Sequence, residues 1–265
     1  MNELLIGTGF VTGILVGLTG VGGGAIMTPM LLFVFGLQPQ IAVGTDLLFA
    51  AITKITATRI YQWQGTIDWD VVQRLWWGSV PGSILAMLWL NDLPDSGHDT
   101  EFLKRAIVGG ILLALMSLFL QPVLKSFHEK RELTIVGDNE ITRLQELLTI
   151  ISGALLGIIV TITSVGAGAL GMVILSYLYS TRLKPSSLVA TDIAHAIPLT
   201  LLGGIGHMML GNMDFAILGT LLIGSIPGVL LGAVLTSFLS QGVLRAILST
   251  TLLALGSNLW WSGLA

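Results

Sequence analysis

Apolar residues fill long, uninterrupted stretches of this chain, and polar residues are confined to the breaks between them. The stretches Ile41–Tyr61, Asp70–Leu90, Leu103–Leu124, Ser187–Met209, Asp214–Phe238 and Val243–Trp261 are each long enough to cross a bilayer as a helix rising about 1.5 Å per residue. Two further pairs are shorter. Leu4–Thr19 and Ala25–Leu37 meet at Gly20-Val21-Gly22-Gly23-Gly24, and Leu147–Thr163 and Ala169–Thr181 meet at Ser164-Val165-Gly166-Ala167-Gly168. Each pair reads as a re-entrant hairpin or as two shortened spans, and either way the chain returns to the face it left. The pattern predicts an all-α polytopic membrane protein.

The pattern also repeats. Val43-Gly44-Thr45-Asp46 returns as Val189-Ala190-Thr191-Asp192, and 146 residues separate Thr45 from Thr191. At the same register Pro39 meets Pro185, Gly65 meets Gly211 and Asp68 meets Asp214. Gly78-Ser79-Val80-Pro81-Gly82 likewise meets Gly224-Ser225-Ile226-Pro227-Gly228, and the two small-residue breaks correspond with a small shift. Each half then holds one returning pair and three spans. That is an odd net number of crossings, so the second half is predicted to be inverted. The expected organisation is a first repeat over 1–126, a linker over 127–146 and an inverted second repeat over 147–265. Halves of this kind point to a transporter with its site between them.

Composition agrees. The chain is 53% hydrophobic and 10% charged, whereas soluble domains carry about 25% charged residues. Its 33 glycines in 265 residues suit helices packed closely within a bilayer. No cysteine is present, which excludes disulfide and thiol chemistry. A net charge of −3 without a basic tract gives no support for a nucleic-acid partner. Met1-Asn2-Glu3 lacks the features of a signal peptide, so the first apolar segment is expected to be retained. Arg59, Arg74, Lys125, Lys130, Arg131, Arg143, Arg182, Lys184 and Arg245 fall on one face, and only Lys104 and Arg105 on the other. The positive-inside rule makes the first face and the linker cytoplasmic and places both termini outside. Trp89, Trp260 and Trp261 are expected as outer interfacial anchors.

The candidate chemistry lies in the breaks and in polar residues at or within the spans. Irregular backbone at membrane depth needs protein or a wet cavity to satisfy it. A helix starting after such a break offers free N–H groups and a positive dipole end to an anion. Gly20, Gly22, Gly23 and Gly24 in the first half, and Ser164, Gly166 and Gly168 in the second, are candidates on this ground; close helix packing is the plainer explanation. Thr45-Asp46 and Thr191-Asp192 suit helix N-caps. Alternatively Thr45 and Thr191 donate hydroxyls to a substrate while Asp46 and Asp192 couple transport to protons. Lys54 sits mid-span, where a bare ammonium costs at least a few kcal/mol. It either snorkels or faces a cavity and adds positive potential there. His195, three residues after Asp192, binds an anion or relays protons, or is a satisfied bundle histidine. His207 is the weaker candidate. Pro198, Pro81 and Pro227 are expected to kink their spans. No nucleotide, metal or nucleophile–base motif occurs, so neither cofactor nor metal is expected, and the chain does not read as an enzyme.

These residues resemble the TauE/SafE sulfite exporter family, grouped with the toluenesulfonate uptake permeases. The resemblance lies in Gly-Val-Gly-Gly-Gly with Pro29 following, Ala42-Val43-Gly44-Thr45, and Gly78 with Pro81-Gly82. In the second half it lies in Ser164-Val165-Gly166-Ala167-Gly168, Thr191-Asp192-Ile193-Ala194-His195-Ala196-Ile197-Pro198 and Gly224-Ser225-Ile226-Pro227-Gly228. It implies a secondary carrier, an exporter in the first instance, for sulfur-containing anions such as sulfite or organosulfonates. Many members carry Ser where this chain has Asp46. The expected partners are a small anion and the lipid bilayer of an inner membrane; a homodimer is compatible with the architecture and not specified by it. An anion channel and a proton- or sodium-coupled carrier of another small organic anion are the alternatives.

Overall fold

The structure, a computed structural model, describes residues 2–19, 24, 26–92, 102–103, 105–114, 116, 142–179 and 182–235. The expected span Val243–Trp261, the end of Leu103–Leu124, the linker before Thr142, and Gly20, Gly22 and Gly23 lie outside the described residues. Among the described residues the chain is helical throughout: α1 (Asn2–Thr19), α2 (Met27–Phe33), α3 (Pro39–Trp63), α4 (Trp69–Asn91), α5 (Arg105–Ala114), α6 (Arg143–Thr163), α7 (Ala169–Leu178), α8 (Pro185–Met209) and α9 (Phe215–Leu235). Of these, α3, α6, α8 and α9 combine the length and apolarity needed to cross a membrane.

The start and stop signals explain the boundaries. Pro39 and Pro185 occupy the first turn of α3 and α8, where proline's missing N–H costs no hydrogen bond. Both helices end ahead of a glycine at positive φ, Gly65 at 64° and Gly211 at 76°, a conformation that a side chain disfavours. Asp68 then caps α4 by accepting from the Val71 N–H at 3.2 Å. Asp214 does the same at the start of α9 with Ile217, at 2.9 Å. Thr142 and Gln145 form a capping box, so α6 begins four residues ahead of the apolar stretch that announces it. Pro81, Pro198 and Pro227 all lie inside helices that continue through them.

The returning pairs resolve into one long helix and one short one. The 18 residues of α1 and the 21 of α6 rise about 27 and 32 Å. The 7 of α2 and the 10 of α7 rise only about 10 and 15 Å.

Packing follows the glycines. A Cβ on Gly9, Gly13 or Gly17 of α1 would overlap backbone of Leu221, Ser225 or Val229 of α9, and one on Gly224 or Gly228 would overlap Ile6 or Phe10. The matching set joins α6 to α4: Gly153 and Gly157 abut Leu75 and Ser79, while Gly78 and Gly82 abut Ile150 and Ala154. Both pairs run parallel, as these ascending contacts require. The first helix of each half therefore packs on a helix of the other half, α1 on α9 and α6 on α4. Between them α3 and α8 lie antiparallel: Thr191, near the start of α8, meets Asp68 beyond the end of α3, and Thr45, near the start of α3, meets Asp214 beyond the end of α8.

Candidate functional site

The two breaks converge on Asp46. Gly24 lies so close to Ser164 that a Cβ there would overlap the Ser164 carbonyl. Asp46, wholly buried on α3, accepts through Oδ2 from the Thr28 hydroxyl at 2.5 Å and from the Ser164 hydroxyl at 2.9 Å. Thr28 belongs to α2, which follows the first break, and Ser164 opens the second. One carboxylate thus ties α2 and the second break to α3. Ser164 itself sits in the left-handed region at φ 57°, closing α6, and Gly166 follows at φ 112°. The Gly166 carbonyl accepts from the amides of Gly168 and Leu170, which turns the chain into α7 with Gly168 as its N-cap.

Lys54 reaches the same break from about two helical turns further along α3. Its side chain is fully buried, and Nζ donates to the Ala167 carbonyl at 3.0 Å. It does not snorkel. The Asp192 and Asp46 carboxylates both act on its charge. Asp192, on α8, is 1% exposed and presses against Gly171 of α7, where a Cβ would collide with its Oδ1. Among the described residues its Oδ2 finds no hydrogen-bond partner, nor does Oδ1 of Asp46. An ammonium and two carboxylates are therefore held without bulk water at the junction of α3, α8 and the two breaks.

His195 stands beside this group. It is 1% exposed, Nε2 lies 3.0 Å from the Ser79 hydroxyl of α4, and Nδ1 has no partner among the described residues. The Trp76 indole donates to the His195 carbonyl at 3.0 Å. His207 lies farther along α8, with Nε2 3.1 Å from the Thr161 carbonyl. Tyr61, its register mate, donates to the carbonyl of Gly17 on α1 at 3.0 Å, so each histidine or tyrosine holds the long helix of a returning pair.

One expectation is corrected. Thr45-Asp46 and Thr191-Asp192 do not cap helices: the caps are Gln38 and Lys184, and the pairs lie two turns inside α3 and α8. The Thr45 and Thr191 hydroxyls accept the backbone N–H of Asp214 and Asp68, each at 3.1 Å. They cross-link the halves. Periodicity places Thr–Asp on an apolar helix but is silent on what packs against it. Sequence reasoning also passed over Thr28, Ser79 and Trp76. Ser79 was within reach, since it recurs with Gly78 and Gly82 in a repeated motif; Thr28 carries no such signal.

At the face of Asp68 a charged cluster closes over the crossing. Arg182, in the α7–α8 connection, grips Asp68 with Nε at 2.6 Å from Oδ2 and Nη2 at 3.1 Å from Oδ1, and reaches Asp70 Oδ2 at 3.0 Å. Hydrogen bonding to Asp68 raises the Arg182 pKa above its ordinary value, so the guanidinium stays charged. Arg74 lies 3.7 Å from Glu146 alongside.

The family profile described as Sulfite exporter TauE/SafE matches residues 5–259. The chain belongs to the TauE/SafE family. A probable membrane transporter protein of Bacillus subtilis (strain 168), YjnA, is 37% identical over 261 residues, covering 98% of this chain and all of that protein. A probable membrane transporter protein of Xylella fastidiosa is 35% identical over 65 residues, about a quarter of each chain. No solved structure matches significantly. This TauE/SafE chain is a membrane transporter, and its apolar helices are those of an integral membrane protein.

Proposed function

We propose that this TauE/SafE protein is a secondary carrier that exports small sulfur-containing oxyanions, such as sulfite or organosulfonates, by alternating access between two inverted repeats. The repeats are residues 1–126 and 147–265, joined by a cytoplasmic tether over 127–146. The observation that carries the reading is the buried group formed by Asp46, Lys54 and Asp192 where the two breaks meet.

Charge decides how such a group handles an anion. With all three ionised the cluster carries a net −1, and burial makes a further negative charge costly. A proton on one carboxylate brings it to neutrality, and Lys54 then offers its ammonium to the anion alongside the backbone N–H groups of the second break. Asp46 is committed through Oδ2 to bridging α2 and the second break, so Asp192 is the carboxylate assigned to take the proton. His195, beside it on α8, lends a second polar nitrogen. Proton and anion then enter the site together and leave it together, which makes flux electroneutral for a monovalent anion.

The test is flux of radiolabelled sulfite, thiosulfate, sulfate and small sulfonates in proteoliposomes under imposed pH gradients. Uphill anion movement driven by a proton gradient is the expected result, and Asp192→Asn should keep anion exchange while losing proton-driven accumulation. Current that follows the anion gradient with no proton flux would establish a channel instead, and dependence on Na⁺ would replace the proton as coupling ion.

A further inference from the structure

We propose that Arg182, Asp68 and Asp70 form a charge latch holding one mouth of the transport path shut, a latch that the repeat does not copy at the register mates Gly36 and Ala216. The inference rests on the alternating-access reading above.

The two mouths are built alike up to a point. Each is crossed by one threonine hydroxyl: Thr191 accepts the Asp68 N–H and Thr45 accepts the Asp214 N–H, at the same 3.1 Å. Each aspartate caps the helix that follows it. There the likeness ends. At the 146-residue register Arg182 falls on Gly36, Asp70 on Ala216 and Arg74 on Thr220, so the charged residues of the latch have no charged register mates. Arg182 pairs with Asp68 and Asp70, and Arg74 lies beside Glu146.

The latch spans the halves. Arg182 belongs to the α7–α8 connection of the second, and Asp68 and Asp70 to the first turn of α4 in the first. Asp68 is fixed by its capping bond, so the guanidinium fork meets a carboxylate already in place. Side-chain exposures of 26% for Arg182 and 16% for Asp68 leave this arm less screened than a surface pair. Parting the halves here breaks the hydroxyl crossing and three charged hydrogen bonds. Parting them at Asp214 breaks the crossing and none of these three bonds. The empty carrier is therefore biased toward closure at the Arg182 mouth, and opening there is a step the transport cycle must drive.

The absence of native cysteine permits a direct test. Val189→Cys reports on the latched mouth: Val189 is 8% exposed and packs with Ala57, Tyr61 and Ile67. Val43→Cys, its register mate on α3, reports on the other. Both are exposed to an impermeant maleimide in right-side-out and inverted vesicles, with and without methanesulfonate, a small sulfonate inert toward maleimide. In the latch-intact background, methanesulfonate should move the two labelling rates in opposite directions; no movement overturns alternation and the latch with it. Where that movement is present, Arg182→Gln should raise Val189→Cys labelling from the latched face about fivefold or more, with Val43→Cys not raised and Arg182→Lys intermediate. An unchanged rate overturns the latch and leaves alternation standing. Should Arg182→Gln fail to accumulate, Asp70→Asn removes only the exposed arm: about a twofold rise supports the latch and no rise overturns it.

Discussion

At the residue scale, Lys54 carries the most weight, because a fully buried ammonium has to be matched by everything around it. Its register mate Thr200 simply returns a hydrogen bond to its own helix, at Ala196, so the shared fold does not demand a charge at this position. Lys54 is specific to this half, and its tie to the Ala167 carbonyl joins α3 to the break of the other repeat. Lys54→Met keeps the length and apolar stem of the side chain while removing the charge. The cluster is then left with two carboxylates and no cation, which should lower anion flux by at least about tenfold while membrane levels stay near wild type. Flux and anion affinity measured in proteoliposomes decide it; an unchanged affinity in a well-inserted variant removes Lys54 from the site. That a lysine interrupts an apolar span was legible in the sequence, and so was its tension with the bilayer. Its partner was not, since Ala167 contributes only a backbone oxygen, 113 residues away, and a carbonyl leaves no trace in residue type.

The same division holds at the scale of elements. The spans of α3, α4, α8 and α9 follow from apolar length and from Pro, Gly and Asp signals that recur 146 residues apart. The breaks were legible too, as clusters of small residues. What could not be read was which helix each glycine faces, because a helix of small and apolar residues looks alike on every side. The structure assigns the stripes: α1 packs on α9 and α6 on α4, each through carbonyls that stand where a Cβ would go. Gly78→Ala and Gly157→Ala should each cost about 1–3 kcal/mol by forcing α4 and α6 apart, lowering the melting temperature and the yield of detergent-solubilised protein. Gly109→Ala on α5, where a Cβ meets nothing within 4 Å, should leave both unchanged or slightly improved. Fluorescence-detected size exclusion after a heat ramp compares all three directly. Equal melting of Gly78→Ala and Gly109→Ala would mean that the α4–α6 interface is not close-packed in the membrane.

For the whole molecule, sidedness ties the sequence to the mechanism. Lys and Arg counts alone assign the faces, but the fold groups independent markers at the same two ends. Arg74, Arg182, Glu146 and the first turn of α6 gather at the end where Asp68 meets Thr191. The start of α1 and the end of α4 stand at the other, with Thr45 and Asp214, because α1 runs parallel to α9 and α4 runs from one end to the other. On the proposed positive-inside orientation the Arg182 mouth is cytoplasmic and the latch is an inner gate. The empty carrier then rests closed to the cytoplasm, so for export the ion pairs must part before the anion can load from within. Single cysteines settle the orientation. Gln64→Cys, exposed in the α3–α4 turn beside Asp68, and Asp92→Cys, exposed at the far end of α4, are treated in intact cells with an impermeant thiol reagent. Asp92→Cys should be modified, and Gln64→Cys should react only after the membrane is permeabilised. The opposite pattern would turn the protein over, placing the charge latch outside; the carrier would then rest open to the cytoplasm, and the same geometry would favour capture of anion from within the cell.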